Sequence, residues 1–145
     1  MREKFILAPY VIRYGKKAVP VLDINANRDA AQAAHLRAKG FVVVAYSESF
    51  SRTGVHDRSA LGHTYETVYA DGWLSAQTSL SRIRGCIIAL AGVTKAGGVA
   101  IADYSGVTRK SRTTSTRIVI LLKEKFKTVQ QVGGSAVSPV WLMRR

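Results

Sequence analysis

The chain has 145 residues, of which 47% are hydrophobic, and this is enough for one domain with a buried core but short for two. Its 22 lysines and arginines outnumber its 9 acidic residues, so the formal net charge is +13. The single cysteine excludes an intrachain disulfide and a cysteine-rich zinc site. The single cysteine also favours a reducing compartment, so we expect one basic domain over residues 1–145 in the cytoplasm. No apolar run approaches the roughly 20 residues of a membrane helix, so no membrane partner is predicted.

The N-terminal segment predicts two strands. Residues 5–14 form an apolar stretch that Pro9 and Arg13 interrupt, and no small-residue cleavage site follows, so we interpret it as a strand and not as a secretion signal. A second strand is predicted over residues 18–24.

Two windows of the sequence, residues 28–47 and 73–92, align without a gap. Each follows a helix-capping candidate, Asn27 or Asp71, and runs through helix-compatible residues to a basic last turn and a glycine, Gly40 or Gly85. Short buried strands are then predicted at residues 41–45 and 86–90. The aligned identities are Ala31 with Ala76, Gln32 with Gln77, Arg37 with Arg82, and Gly40 with Gly85.

The repeat predicts a fold class. A strand precedes each helix, at residues 18–24 and 63–70, so the units 18–47 and 63–92 each have the order strand, helix, strand. This order is typical of an α+β, ferredoxin-like split βαβ domain, an antiparallel sheet with both helices on one face. The alternative is one helix over residues 73–91, because the apolar residues there keep helical spacing and Gly85 costs only about 1 kcal/mol relative to alanine.

The C-terminal part, residues 99–145, is predicted to add basic strands and a tail. Strands are expected at residues 99–104 and 114–122, and surface loops at residues 47–62 and 105–112. The tail, residues 137–145, is too apolar to remain in water. We expect it to dock on this chain or on a neighbouring copy, which makes a homo-oligomer a predicted partner.

The positive charge favours nucleic acid as the main partner, because counterion release from phosphates supplies affinity that is independent of sequence. From Tyr104 to the C-terminus there are nine basic residues, and Glu124 is the single acid. Hydroxyl side chains lie between these cations, as in phosphate-binding surfaces. The alternative is a solvated edge strand that its lysines protect from aggregation. The predicted phosphate contacts are Arg109, Lys110, Arg112, Arg117, Lys123 and Lys125.

Two tyrosines give a second, aromatic signal. Tyr65 and Tyr69 lie four residues apart in a predicted strand and so project from one face, where nucleic-acid bases could stack on them. A buried tyrosine pair is the alternative interpretation.

A cluster of titratable residues raises the question of catalysis. His56, Asp57, His63 and Glu66 are close in sequence, and such residues could hold a metal or act as a base. Their spacing matches no metal or hydrolase motif, and the sequence has no phosphate-loop or dinucleotide fingerprint, so no cofactor is predicted.

These patterns favour a non-catalytic nucleic-acid-binding protein. The first alternative is a coat or packaging subunit of a virus or mobile element, located in the virion. The second is a small metal-dependent nuclease that uses the histidine cluster.

Overall fold

A computed structural model describes residues 5–145, over which the chain forms one mixed α/β unit of four helices and six strands. A short 3-10 turn, Ala60–Gly62, lies between β2 and β3. In chain order the elements are α1 (Ala8–Tyr14), β1 (Val21–Asp23), α2 (Ala31–Ala38), β2 (Val43–Ala45), β3 (Tyr65–Ala70), α3 (Leu80–Val93), β4 (Thr94–Asp103), α4 (Ser115–Lys125), β5 (Thr128–Gly134) and β6 (Pro139–Arg144).

The six strands form one sheet in the order β2-β1-β3-β4-β6-β5. The first four strands are parallel, whereas β6 is antiparallel both to β4 and to β5. The chain moves from β1 to one side through α2 and β2, and then returns to the other side of β1 with β3. This reversal of direction between β1 and β3 defines the topological switch point of a doubly wound sheet.

The helices cover both faces of the sheet. Helices α1 and α2 pack on one face, where Val11 and Leu36 join the core. Helices α3 and α4 pack on the other, where Leu90 and Leu121 are buried. Crossover connections are almost always right-handed, so two crossovers that run in opposite directions place their helices on opposite faces. The predicted ferredoxin-like fold is therefore wrong, since that fold has an antiparallel sheet with both helices on one face.

The internal repeat fails at Gly85. Gly40 follows α2 with φ of 97°, as predicted for the glycine that ends a helix. Gly85 instead lies inside α3, which runs unbroken from Leu80 to Val93, so the predicted strand over 86–90 is helical. The exposed Gly85 is tolerated because the opposite side of the helix buries Ile83 and Ile87. The alternative of a helix over 73–91 is confirmed only from Leu80 onward.

Two other predicted strands are also helices. Within residues 5–14 the chain forms α1, which begins next to Pro9, a residue that favours the first turn. Residues 114–122 belong largely to α4, where Thr114 caps the helix by accepting a hydrogen bond from the Arg117 N–H group. By contrast, the strands predicted within 18–24, 41–45, 63–70 and 99–104 are confirmed as β1, β2, β3 and the end of β4.

The tail docks on this chain, as one of the two predicted outcomes. It forms β6 between β4 and β5, and Trp141 and Leu142 are buried in the sheet. These two side chains are consequently not presented to a neighbouring copy, and association of copies stays a prediction without a surface assigned to it. Within residues 5–145, no helix has the length and apolar character needed to cross a bilayer.

Candidate functional site

The carboxyl ends of β1, β2 and β3 meet at one edge of the sheet and enclose a cavity of about 420 Å³. This first cavity lies at the switch point, where doubly wound sheets bind their ligands, and its volume is in the range of small-molecule sites. Its polar lining includes Asp23, Asn25, Asn27, Gln32, Ser47 and Asp71.

Asp23, the last residue of β1, is a buried carboxyl group in the cavity wall. Burial raises the pKa of Asp23 to about 7, although two hydrogen bonds oppose this shift. The Tyr69 hydroxyl donates to Oδ2 at 2.9 Å, and the backbone N–H of Asn25 donates to Oδ1 at 3.2 Å. Asp23 therefore changes charge near neutral pH inside the cavity.

Asp71 follows β3 and is positioned by Gln32, a buried residue of α2. The Gln32 side chain donates to Asp71 Oδ2 at 2.8 Å. Its carbonyl oxygen accepts from the backbone N–H groups of Leu7 and Ala8, at 3.1 and 2.9 Å. The Asn25 side chain also donates to the Asp71 carbonyl oxygen, at 2.8 Å. One glutamine thus ties the start of α1 to the Asp71 carboxylate.

The turn between β1 and α2 contains no glycine. Its left-handed residue is Ala30, with φ of 49°, and Asn27 Oδ1 accepts from the Ala31 N–H group at 3.0 Å. Dinucleotide sites need glycines here so that the backbone can approach a pyrophosphate. This turn therefore does not fit a dinucleotide.

The loop over residues 46–64, called the roof loop below, borders the cavity through Ser47, Ser49 and Phe50 and is fastened to the β1–α2 turn. His56 Nδ1 accepts from the Arg52 N–H group at 3.1 Å, which leaves Nε2–H to donate to the Asn27 carbonyl oxygen at 2.8 Å. The Arg52 guanidinium pairs with Asp29 at 2.6 Å. These contacts hold the half-exposed ring of Phe50 at the cavity wall.

Comparison with known proteins gives a clear result for the fold. No protein-family model matches the sequence, and no curated protein is significantly similar to it. Solved structures do match. A TehB-like SAM-dependent methyltransferase from Corynebacterium glutamicum has a TM-score of 0.74 at 8% identity, over 99% of this chain and 89% of that one. The architecture of this chain is the Rossmann-like α/β fold that this solved structure has.

Two further structures share it. An O-methyltransferase family protein from Burkholderia thailandensis has a TM-score of 0.68 at 13% identity, over 96% of this chain. A 16S rRNA methyltransferase from T. thermophilus, solved with AdoMet and guanosine, has a TM-score of 0.61 at 12% identity, over 86% of this chain. This chain spans 55% of the length of the first protein and 34% of the second.

These comparisons correct the predicted function. A non-catalytic nucleic-acid-binding protein is contradicted, because several of the solved structures with this fold are methyltransferases, which are enzymes. The fold likewise gives no support to a coat or packaging subunit of a virus or mobile element.

The histidine cluster of the nuclease alternative comes together only in part: Asp57, His63 and Glu66 line one cavity of about 400 Å³, and His56 does not line it. In the part of the chain that the structure describes, no group of three or more such residues is arranged to hold a metal ion. His56 fastens the roof loop, Glu66 pairs with Lys16 at 3.4 Å, and Asp57 accepts hydrogen bonds from Ser59.

The predicted phosphate contacts fall at two different edges of the sheet. Arg109, Lys110 and Arg112 are exposed in the loop after β4, and therefore lie at the carboxyl edge, as the first cavity does. Arg117 is exposed in the first turn of α4, near the same edge. Since α4 runs back across the sheet, the exposed Lys123 and Lys125 lie at the opposite edge.

The two tyrosines are inside the protein. Tyr65 and Tyr69 are 6% and 0% exposed, so neither ring offers a face for base stacking. The Tyr65 hydroxyl donates to the Ala60 carbonyl oxygen, and the Tyr69 hydroxyl holds Asp23. Their role in the structure is to position other groups.

Asp23 and Gln32 line the cavity but are not among the site residues predicted from the sequence. Asp71 is predicted there only as a helix cap. A signal was present: Asp23 lies at the carboxyl end of one predicted strand, and Asp71 follows the carboxyl end of another. In parallel sheets this position faces the ligand crevice. In the predicted antiparallel sheet the carboxyl ends of these two strands do not share an edge. The prediction of that fold therefore did not bring the two carboxyl groups into one site.

Proposed function

We propose that this protein binds S-adenosylmethionine in the first cavity and transfers its methyl group to an acceptor. The observation that supports this most is the position of two carboxylates, Asp23 and Asp71, in a cavity at the switch point of a methyltransferase-like sheet. The S-adenosylmethionine-dependent function of proteins with this fold agrees with the proposal.

The lining residues fit the chemistry of this ligand. S-adenosylmethionine carries a sulfonium and an ammonium group, both positive, and the Asp23 and Asp71 carboxylates offer the opposite charge in a partly desolvated cavity. The exposed Phe50 ring can stack on an adenine. The turn without glycine is compatible because this ligand has no pyrophosphate.

When bound, the ligand supplies an activated methyl group: the acceptor nitrogen or oxygen forms a bond to the methyl carbon, the carbon–sulfur bond breaks with its electrons on sulfur, and the acceptor loses one proton. The residues of this chain would bind and orient. The hydrogen bond from Gln32 would fix the orientation of the Asp71 carboxylate, and this carboxylate would hold a cationic group of the ligand in place. The roof loop would limit the access of water. A bound cation would also favour the ionised form of Asp23.

Calorimetric titration with S-adenosylmethionine and S-adenosylhomocysteine tests the proposal. Asp71→Asn keeps an oxygen that accepts from Gln32 but removes the negative charge. We expect it to weaken binding by about tenfold, the equivalent of 1.4 kcal/mol. Asp57→Asn is the matched control, because it removes an exposed carboxylate outside the cavity, and it should bind like the wild type. Absence of binding by the wild-type chain at millimolar ligand would overturn the proposal.

A further inference from the structure

A second cavity, of about 500 Å³, lies at the same edge of the sheet, beyond β4. The start of α1 forms one wall, and the end of β4 with the loop that follows it forms another. Its lining combines apolar side chains, hydroxyl-bearing side chains and the Asp103 carboxyl group. Lining residues from α1, β4 and the loop after β4 are Ile6, Pro9, Tyr10, Asp103, Ser105 and Thr108.

The two cavities are neighbours. Phe5 lines the first cavity, whereas Ile6, the next residue, lines the second. Ala70 at the end of β3 pairs with Ala102 near the end of β4. The next residue of each strand is an aspartate: Asp71 lines the first cavity and Asp103 lines the second. The Gly72 N–H group donates to Asp103 Oδ1 at 2.7 Å. A group in the second cavity is therefore well placed to meet a methyl donor in the first.

The chemistry of the second cavity suits a flat polar ring. Ile6 and Pro9 supply apolar contact, while the hydroxyls of Tyr10, Ser105 and Thr108 can donate or accept hydrogen bonds. The walls thus combine a hydrophobic surface with polar groups that fix orientation, as sites for planar ligands do.

A run of exposed cations continues from this cavity. We name residues 105–114 the basic loop; it leaves the cavity at Thr108 and carries Arg109, Lys110 and Arg112, with no acidic residue. Its backbone is tied down, since the N–H of Arg109 donates to the Ser105 carbonyl and that of Lys110 to the Ser75 carbonyl, both at 2.9 Å. Three cations on a fixed backbone match a row of phosphates better than a single anionic group.

We propose that the second cavity takes one base of a nucleic-acid strand as methyl acceptor, while the basic loop holds the phosphates beside it. This inference rests on the proposed methyl transfer and adds the substrate class. A methyl carbon would form its bond to a base nitrogen or oxygen as its bond to sulfur breaks, and the displaced acceptor proton would pass to water. The base must leave its stack to enter the cavity, as enzymes that modify bases require.

Binding of fluorescent mixed-sequence single strands, measured by anisotropy over a range of salt concentrations, tests the basic loop. Changing Arg109, Lys110 and Arg112 together to alanine should weaken binding and flatten the slope of log affinity against log salt by roughly two units, since each phosphate contact on a single strand contributes about −0.7. The matched control changes Lys123, Lys125 and Lys127 to alanine. It removes the same charge at the opposite edge, and equal weakening by both triple variants would overturn the proposal.

A second substitution tests the cavity. Thr108→Trp fills the cavity mouth from an exposed position, so the fold should survive. We expect it to weaken strand binding by about tenfold, the order of one lost stacked base, without changing the salt slope. Unchanged affinity, or a mononucleotide that competes as well as the strand, would contradict the proposal.

Titration of S-adenosylhomocysteine into each variant separates the two proposals. The ligand should bind the basic-loop variant and Thr108→Trp as it binds the wild type. If it does, and strand binding is insensitive to these changes, only the acceptor class fails. If no variant and no wild-type chain binds it, the methyl transfer itself fails.

Discussion

At the end of β1, Asp23 holds a carboxyl group that desolvation makes hard to ionise. The two hydrogen bonds from Tyr69 and Asn25 lower its pKa but do not offset burial, and the net result is a pKa of about 7. The unfolded chain releases this proton near pH 4. Between those two values the folded state binds the extra proton, so the contribution of Asp23 to stability is complete below about pH 4 and is lost as the pH rises through about 7.

Asp23→Asn tests this directly. Relative to the variant, the wild type should lose roughly 4 kcal/mol of unfolding free energy between about pH 4 and pH 7, at about 1.4 kcal/mol for each unit of pKa shift. Urea unfolding at a series of pH values measures the difference. Hydrogen bonds from Ser59 lower the pKa of Asp57. Relative to Asp57→Asn, the wild type should therefore not lose unfolding free energy as the pH rises. A parallel pH dependence of wild type and Asp23→Asn would contradict the assignment.

At the level of single residues, sequence reasoning identified the exposed charges but not the buried polar groups. Arg109, Lys110 and Arg112 are exposed, as their charge requires. Asp23 and Gln32 are exceptions to the rule that such side chains avoid the interior. Only the convergence of several elements on these two residues gives them partners; a carboxyl group at a strand end marks Asp23 in the sequence, but it does not show which groups surround that side chain.

The helices and strands show where local patterns are ambiguous. Strands rich in β-branched residues, such as β2, were predictable from composition. Helix α3 was divided in the prediction because Gly85 suggested a helix end. The apolar residues Cys86 to Leu90 fit a buried strand and a buried helix equally well. Fourteen residues of α3 bury six side chains, and this packing outweighs the preference of one exposed glycine.

The two glycines of the failed repeat should respond oppositely to alanine. Gly85 is helical, and a β-carbon there meets nothing within 4 Å, so Gly85→Ala should stabilise the protein by about 1 kcal/mol. Gly40 has φ of 97°, a conformation that a β-carbon strains, so Gly40→Ala should destabilise it. Thermal unfolding of the two variants measures both effects. Stabilisation by both substitutions would contradict the position of the end of α2.

In the whole molecule, the order of strands in the sheet creates the site. Alternating strand and helix patterns were visible in the sequence, but they do not specify whether β3 pairs beside β1 in a parallel or an antiparallel sense. Strand β3 pairs in the parallel sense with β4, which follows α3 and lies beyond the predicted second unit, so the sheet is parallel where the prediction had an antiparallel repeat. Asp23 and Asp71 consequently share one cavity, although they lie far apart in the sequence and neither segment alone specifies that they meet.

Mapping of amide chemical shifts in the isotope-labelled 145-residue chain during titration with S-adenosylhomocysteine tests the central claim most directly. Binding at the switch point predicts saturable shifts concentrated in the turn after β1, in the roof loop near Phe50 and at Asp71. The amides of α4 near Lys123 and Lys125, at the opposite edge, should remain unchanged. Shifts centred on that opposite edge, or no shifts at saturating ligand, would contradict an S-adenosylmethionine site in the first cavity.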